Sequence, residues 1–127
     1  MITILAFGNE YLQMDSLAKK IAPKLRDRNV KVFMCDSPEE ITLHKPPIVI
    51  LDVAEGITKP TLLKVEQLEN SRIYSLHDFD LAYFLKLMKE MNELNEKDIT
   101  IIALPMDKEP GIEEIKRLLP VDPEEVR

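Results

Sequence analysis

The chain has 127 residues, a formal net charge of −6 and one cysteine, and its length suits one domain, so we expect residues 1–127 to fold as a single unit. The acidic balance argues against nucleic acid as the main partner, and the lone Cys35 excludes an internal disulfide and a cysteine-based zinc site. No apolar run is long enough to cross a bilayer and the N-terminus enters a strand-like segment directly, so we expect no membrane insertion, no signal peptide and a cytoplasmic location.

The first half of the chain alternates strand-like and helix-like segments. The predicted strands here are residues 2–7, 30–35 and 48–53. The third run is unbroken and apolar, which is typical of a central parallel strand buried on both faces. A helix is predicted over about residues 12–28, and Pro23 should kink it because proline removes a backbone donor. The apolar face of this helix consists of Leu17, Ala18, Ile21, Ala22 and Leu25.

The second half contains one ambiguous segment and three clearer ones. Residues 61–74 fit either a strand or a short helix. The clearest helix of the chain covers about residues 80–95. Its predicted buried stripe consists of Leu81, Phe84, Leu85, Met88 and Met91. Ile99–Leu104 predicts another buried strand, and Pro110 introduces a last helix. The apolar face of that last helix consists of Ile112, Ile115, Leu118 and Leu119.

Strands that alternate with helices predict an α/β fold. We expect a three-layer sandwich, with a mostly parallel twisted sheet of about five strands and helices on both faces. In such a sheet functional side chains gather just beyond the carboxyl ends of the strands. Asp15, Asp52 and His77 each follow or end a strand-type run. Two carboxylates and one imidazole suit a divalent transition metal that keeps coordination positions open.

Each of these three residues also has an ordinary structural explanation. Asp15, near the start of the first helix, suits an N-cap, and taken alone the cap is the better interpretation. Asp52 ends an apolar run, where burying a charge is costly unless it is paired or bound, so a functional role is favoured over a loop cap. His77 precedes the strongest helix, and only its pairing with Asp52 across the sheet edge favours a ligand over a surface residue.

The remaining polar candidates carry weaker signals. Asp36 follows the second strand and fits either the same sheet edge or a turn in Asp36-Ser37-Pro38. Cys35 is interpreted as a strand residue, because no histidine lies near it in sequence to activate a nucleophile. His44 lies in a polar loop before two prolines and is interpreted as a surface residue. Gly8-Asn9 lacks the repeated glycines of a dinucleotide-binding fingerprint.

Three segments together resemble the hydrogenase maturation endopeptidases, which trim the C-terminus of the large subunit of nickel-iron hydrogenases. Gly8-Asn9 followed by Asp15 resembles the family's opening motif. Ile50-Leu51-Asp52-Val53-Ala54 resembles its central strand, and Ser75-Leu76-His77 resembles the segment that leads into a helix. No single motif is specific, but the three occur in the right order and at approximately the right spacing over about residues 1–91.

The resemblance implies a metal-dependent endopeptidase whose catalytic and metal-contacting residues fall on Asp15, Asp52 and His77, with Asp36 as a further aspartate after the second strand. It also implies that nickel is carried by the substrate, a hydrogenase large-subunit precursor. Two carboxylates and one imidazole form an incomplete site that the precursor's own thiolates would complete, so that binding tests whether the precursor is loaded. The bound metal would polarise the scissile carbonyl or lower the pKa of a water.

The chain departs from the family pattern in ways that keep two alternatives open. Ala6 stands in place of a glycine, Met14 in place of the first acid of a pair, and the C-terminal part is short. A non-catalytic relative that binds a metal or a hydrogenase subunit is therefore one alternative. The other is a phospho-acceptor signalling module, because Asp52 after the third strand and Lys108 after the last strand suit one. Against it, Gly8-Asn9 replaces the acidic pair that such a module needs.

Overall fold

The sheet is mostly parallel, with helices on both faces. The computed structural model describes residues 1–8, 16–64, 75–76, 79–91 and 99–120. Its strands are β1 (Ile2–Ala6), β2 (Val30–Met34), β3 (Ile48–Glu55), β4 (Thr61–Leu63), β5 (Ser75–Leu76) and β6 (Ile99–Leu104). The strand order is β2-β1-β3-β6-β4, in which the first four are parallel and β4 is antiparallel to β6. The two-residue strand β5 pairs antiparallel with the end of β3. This architecture confirms the predicted α/β fold.

The helices cover the two faces of the sheet through separate hydrophobic clusters. The helices are α1 (Leu17–Ile21), α2 (Phe79–Glu90) and α3 (Ile112–Lys116), with 3-10 helices at Ala22–Leu25 and Pro38–Leu43. Leu81 and Leu85 of α2 pack on one face, together with Ile41 of the second 3-10 helix. Ile21 of α1 and Ile115 of α3 pack on the other face. Full burial of each such side chain contributes about 1.5–3 kcal/mol, which holds the three layers together.

Strand β3 lies in the middle of the sheet, and its side chains are apolar on both faces. Ile48, Ile50 and Ala54 belong to the α2 cluster, whereas the alternate residues Val49, Leu51 and Val53 belong to the cluster under α1 and α3. Seven of its eight residues are buried. The prediction of a strand buried on both faces is confirmed.

Several predicted element boundaries differ from the structure. The first helix is α-helical only over Leu17–Ile21 and continues as the 3-10 helix Ala22–Leu25, so Pro23 changes the type of helix rather than kinking a long one. Proline lacks the N–H that an α-helical bond at this position requires, which explains the change. The residues that the sequence assigned to this helix before Ser16 lie outside the described residues, and the chain after Leu25 is no longer helical.

The prediction of a buried Met91 is wrong. Helix α2 ends at Glu90, and Met91 occupies an exposed turn directly after it. Leu81 and Leu85 are fully buried and Phe84 packs against them, as the stripe predicts. Within the described ranges, none of the helices combines the length and apolarity that a bilayer crossing would require.

Candidate active site at the carboxyl end of the sheet

The strand order creates a point of divergence between β1 and β3. From β1 the chain first adds β2 on one side, then returns past β1 to place β3 and later β6 on the other side. Open α/β sheets bind their ligands beyond the carboxyl ends of the two strands that flank such a point. Here a backbone hydrogen bond connects the end of β1 to β3: the N–H of Phe7 donates to the carbonyl oxygen of Leu51 at 3.0 Å. Asp52 is the next residue of β3.

Asp52 lies at this point of divergence and is fully buried. The pairing of β1 with β3 ends at Ala6 and Leu51, whereas on its other side Asp52 is still in register with Ala103 of β6. Strand alternation places Asp52 on the same face as Ile50 and Ala54, which is the face covered by α2. A carboxylate at such a position costs free energy unless specific interactions compensate for its burial, and this requirement is typical of functional groups.

The sequence placed Asp52 at the end of its strand, and the structure places it inside. Strand β3 continues through Val53 and Ala54 to Glu55. The carboxylate is beyond the end of β1 but not beyond the end of β3, so it lies within the layer between sheet and helix rather than in a following loop. The predicted strand over residues 48–53 already included Val53, and the structure extends it by two residues to Glu55.

The chain that carries His77 is anchored on both sides of it. Leu76 of β5 pairs with Ala54, two residues beyond Asp52 in β3. Helix α2 begins at Phe79 and covers the face on which Asp52 lies. His77 itself lies outside the described residues, so its place in the predicted site stays a prediction. The segments on either side of it nevertheless approach the strand that holds Asp52.

Asp15 also lies outside the described residues, which resume at Ser16. The N-cap position of α1, which the sequence offered to Asp15, belongs to Ser16. The carbonyl oxygen of Ser16 accepts the N–H of Lys20 at 3.0 Å. On the other side of the gap, Gly8 ends the β1 segment with a φ of 126°, a left-handed conformation that glycine adopts readily. The segment from residue 9 to residue 15 therefore leaves from the carboxyl end of β1.

Asp36 is engaged by a lysine that the sequence analysis missed. The Nζ of Lys19 donates to Oδ1 of Asp36 at 2.8 Å; the lysine side chain is only 7% exposed, and the aspartate side chain is 89% exposed. The N–H groups of Asp36 and Ser37 both donate to Oε2 of Glu40, at 2.7 and 2.8 Å. These contacts support the turn interpretation of Asp36, and a solvent-exposed carboxylate already paired with an ammonium group is a poor candidate metal ligand.

Cys35 is a structural residue at the end of β2. Its side chain is buried in the same cluster as Phe7, and its N–H donates to the carbonyl oxygen of Ala6 at 2.9 Å. Burial, together with the negative charge of Glu40, raises the pKa of the thiol to about 12, while the positive charge of Lys19 opposes the shift. The thiol is thus protonated at neutral pH and does not serve as a nucleophile.

A small cleft opens where β3 and β6 end. Its volume is about 250 Å³, and it is lined by Ala54, Gly56 and Ile57 after β3 and by Met106 and Asp107 after β6. Gly56 has a φ of 82°, which turns the chain sharply away from β3. The cleft begins at Ala54, two residues beyond Asp52 along β3.

The structure weighs against the phospho-acceptor alternative. The described sheet ends in the antiparallel strand β4, whereas the doubly wound signalling fold has a fifth parallel strand. Lys108 follows β6 as that alternative requires, but it is exposed. One favourable position does not compensate for the different direction of the edge strand.

The metal site predicted at Asp15, Asp52 and His77 stays a prediction. Within residues 1–8, 16–64, 75–76, 79–91 and 99–120, no three histidine, cysteine, aspartate or glutamate side chains come together as metal ligands would. Because Asp15 and His77 lie outside these ranges, the predicted set of three is not covered by that finding.

The strand order, the antiparallel edge strand and the helices on both faces define the class: the chain has the fold of the NiFe hydrogenase maturation proteases. The solved structure that shows this is NiFe hydrogenase maturation protease HybD from Thermococcus kodakarensis, with a TM-score of 0.62 and 21% sequence identity. The match covers 86% of this chain and 82% of that one. No protein-family model and no curated protein sequence matches the chain. The resemblance seen in the sequence is therefore confirmed at the level of the fold.

Proposed function

We propose that this protein is an endopeptidase that removes the C-terminal extension of a nickel-loaded NiFe hydrogenase large-subunit precursor. The observation that carries the proposal is the fully buried Asp52 at the divergence of β1 and β3. The fold shared with a hydrogenase maturation protease supports it, as does the order of the three sequence motifs. In this proposal residues 1–127 are the catalytic domain and act in the cytoplasm, where Cys35 would remain reduced.

The proposed site consists of Asp52, His77 and Asp15. Asp52 is held in the sheet by pairing with β6, so its position does not depend on a loop. His77 follows directly after Leu76, whose backbone pairs beside Asp52, and this connection limits how far the imidazole is from the carboxylate. Asp15 completes the set from the segment that leaves β1 at Gly8. Asp36 is left out of the set because Lys19 already pairs with its carboxylate.

In the proposed mechanism, the nickel ion arrives as part of the substrate. Two carboxylates and one imidazole occupy part of its coordination sphere, and thiolates of the precursor supply the rest. A precursor without nickel lacks the ion that joins the two partners, so it binds weakly and is not cut. His77 has to be neutral to coordinate, and binding therefore weakens as the pH falls through its titration. An ion held in this way would polarise the scissile carbonyl or lower the pKa of the attacking water.

The small cleft after β3 and β6 suits the chain on one side of the scissile bond. Ile57 and Met106 give it an apolar lining beside the single carboxylate of Asp107. A substrate segment placed there would run past the end of β3, close to Asp52. The protonated thiol of Cys35 takes no part in the reaction.

The test is to incubate the purified protein with two preparations of the same precursor, one loaded with nickel and one free of it. Mass spectrometry of the products should show loss of the C-terminal extension from the loaded precursor alone. Equal cleavage of both preparations would refute the recognition of nickel. Nickel-dependent binding without any cleavage would instead identify the non-catalytic relative.

A further inference from the structure

A second pocket lies at the opposite end of the sheet, where β1, β2 and β3 begin. Its volume is about 390 Å³, larger than the cleft near Asp52. Its walls come from Thr3 at the start of β1, from Lys31 and Phe33 of β2, and from residues 43–47 in front of β3. No role in the proposed proteolysis uses this pocket, because Asp52 lies toward the other end of β3.

The pocket reverses the charge of the molecule locally. The chain carries 23 acidic residues against 17 lysines and arginines. In the part of the chain that the structure describes, the lining of this pocket nevertheless contains no aspartate or glutamate and does contain Lys31 and Lys45. Both lysines are exposed. On an acidic protein such a local positive patch favours a negatively charged ligand.

The same pocket exposes large apolar side chains. Leu43 is 78% exposed and Phe33 is 41% exposed. The ring of Phe33 lies against the imidazole of His44 with 4.5 Å between ring centroids, so the aromatic surface is held in place. Apolar side chains grouped at a concave site lose contact with water when a partner's apolar side chain covers them, and this favours binding. The ligand should therefore carry apolar groups together with its negative charge.

The outer edge of β2 indicates that the ligand is a peptide. Among the described residues β2 has a strand partner only on its β1 side. The N–H of Cys35 donates toward β1, so by alternation along the strand the N–H groups of Val32 and Met34 point to the outer edge. Backbone groups at such an edge can pair with an added strand. A small anion could use the two lysines but not this edge.

We propose that this pocket and the outer edge of β2 bind an acidic peptide segment of a partner protein, with apolar side chains between its acidic ones. The segment adds as a strand beside Val32 and Met34. Its carboxylates contact Lys31 and Lys45, and one of its apolar side chains covers Phe33 and Leu43. This binding is independent of the proposed endopeptidase site.

The test uses a short fluorescent peptide of alternating glutamate and leucine, and a second peptide with glutamine in place of glutamate. Fluorescence anisotropy should show that the full chain binds the glutamate peptide more tightly, and that added salt weakens the binding. The variant Lys31→Glu with Lys45→Glu should reduce the affinity by about tenfold or more. The matched control, Lys20→Glu with Lys59→Glu, makes the same change of charge at exposed positions that line neither pocket, and should retain the affinity of the original protein.

A second measurement separates strand addition from simple charge attraction. In NMR spectra, the amide signals of Val32 and Met34 should shift on addition of the glutamate peptide. Equal binding of the two peptides, or unchanged binding by the Lys31→Glu and Lys45→Glu variant, would overturn the proposal. So would displacement of the peptide by citrate at comparable affinity without a shift of those amides, which would indicate a small-anion site. The variant Asp52→Asn should bind the peptide normally. Peptide binding therefore tests this proposal even if the protein shows no protease activity.

Discussion

The two ends of the sheet are built from the same parallel strands but differ in almost every physical property. At the carboxyl end a fully buried aspartate lies beneath α2, beside a small cleft. At the amino end a larger pocket exposes Phe33 and Leu43 between lysines. The first arrangement fixes a carboxyl group in one position, as the proposed cleavage requires. The second leaves apolar and cationic side chains accessible, as recognition of a partner requires.

The difference follows from what covers each end. Beside Asp52 the register with β6, the pairing of β5 with Ala54 and the side chains of α2 leave no solvent contact. At the amino end the strand β2 has a neighbour only on its β1 side among the described residues, and the segment in front of β3 contains the exposed Leu43. Substitutions of buried residues near Asp52 should therefore have large effects on activity or stability. Matched substitutions at exposed positions should have small effects.

The largest effect is expected from Asp52→Asn. The amide keeps the size of the side chain but removes the charge that the proposed nickel recognition needs. Cleavage of the nickel-loaded precursor should slow by about a hundredfold to a thousandfold. Asp27 is an exposed acid in the turn before β2, so the Asp27→Asn variant serves as the matched control. This variant should cleave the precursor at the normal rate. Initial rates of product formation measure both. If Asp52→Asn cleaves as fast as the original protein, the site assignment is wrong.

The core should show the same contrast in stability. Leu85 of α2 is fully buried against the Asp52 face of the sheet, so Leu85→Ala should lower the free energy of unfolding by about 2–5 kcal/mol. Leu43→Ala removes the same atoms from an exposed position at the amino end, and should change the free energy of unfolding by less than about 0.5 kcal/mol. Urea unfolding followed by circular dichroism gives both values. Equal losses of stability would contradict the contrast between the buried core under α2 and the exposed position of Leu43.

A smaller effect is expected in the reactivity of Cys35. Because burial raises the pKa of its thiol to about 12, iodoacetamide at pH 8.5 should alkylate the folded protein at least about tenfold more slowly than the urea-unfolded protein. The folded chain keeps the proton to higher pH than the unfolded chain, so the free energy of unfolding should decrease as pH rises from about 9 toward 12. Mass spectrometry of quenched samples measures the rates. Equal rates would show that Cys35 is more accessible than the structure indicates.

The smallest effects should come from two ion pairs. Asp36→Asn removes the charge that pairs with the buried Lys19, and should cost about 1 kcal/mol because Asp36 itself is exposed. Glu109→Gln removes the partner of Lys24, a pair at 3.2 Å in which both side chains are more than half exposed, and should cost about 0.5 kcal/mol or less. Urea unfolding at low and high salt compares them. A larger loss for Glu109→Gln would reverse the expected order.

The fold was predictable from the sequence where local and long-range preferences agree. Ile99–Leu104 forms β6 as predicted because a β-branched apolar run is also what a strand between two neighbours requires. Local signals failed where pairing extends an element: the predicted strand ends at residue 53, whereas pairing with β5 accompanies an extension of β3 to Glu55. They also failed at Met91, because helical periodicity does not show where α2 ends.

The candidate site was predictable only in part. Asp52 was identified because a charge in a buried strand is unusual, whereas Asp15 and His77 remain predictions outside the described residues. Lys19 was missed because lysine in a helix usually faces water, and only the fold shows that its long side chain reaches Asp36. The pocket at the amino end joins Thr3, Phe33 and Leu43, which are distant in sequence and which no motif connects.

The scarcity of glycine has a consequence for how this protein can evolve. The chain has three glycines, and two of them, Gly8 and Gly56, adopt positive φ just after the adjacent strands β1 and β3. Any other residue there would cost about 1–2 kcal/mol in backbone energy. A saturation-mutagenesis library selected for folded protein should therefore favour glycine more strongly at these two codons than at neighbouring loop codons. The paths of the chain after β1 and after β3, on either side of Asp52, are thus set by main-chain geometry that few residues other than glycine can adopt.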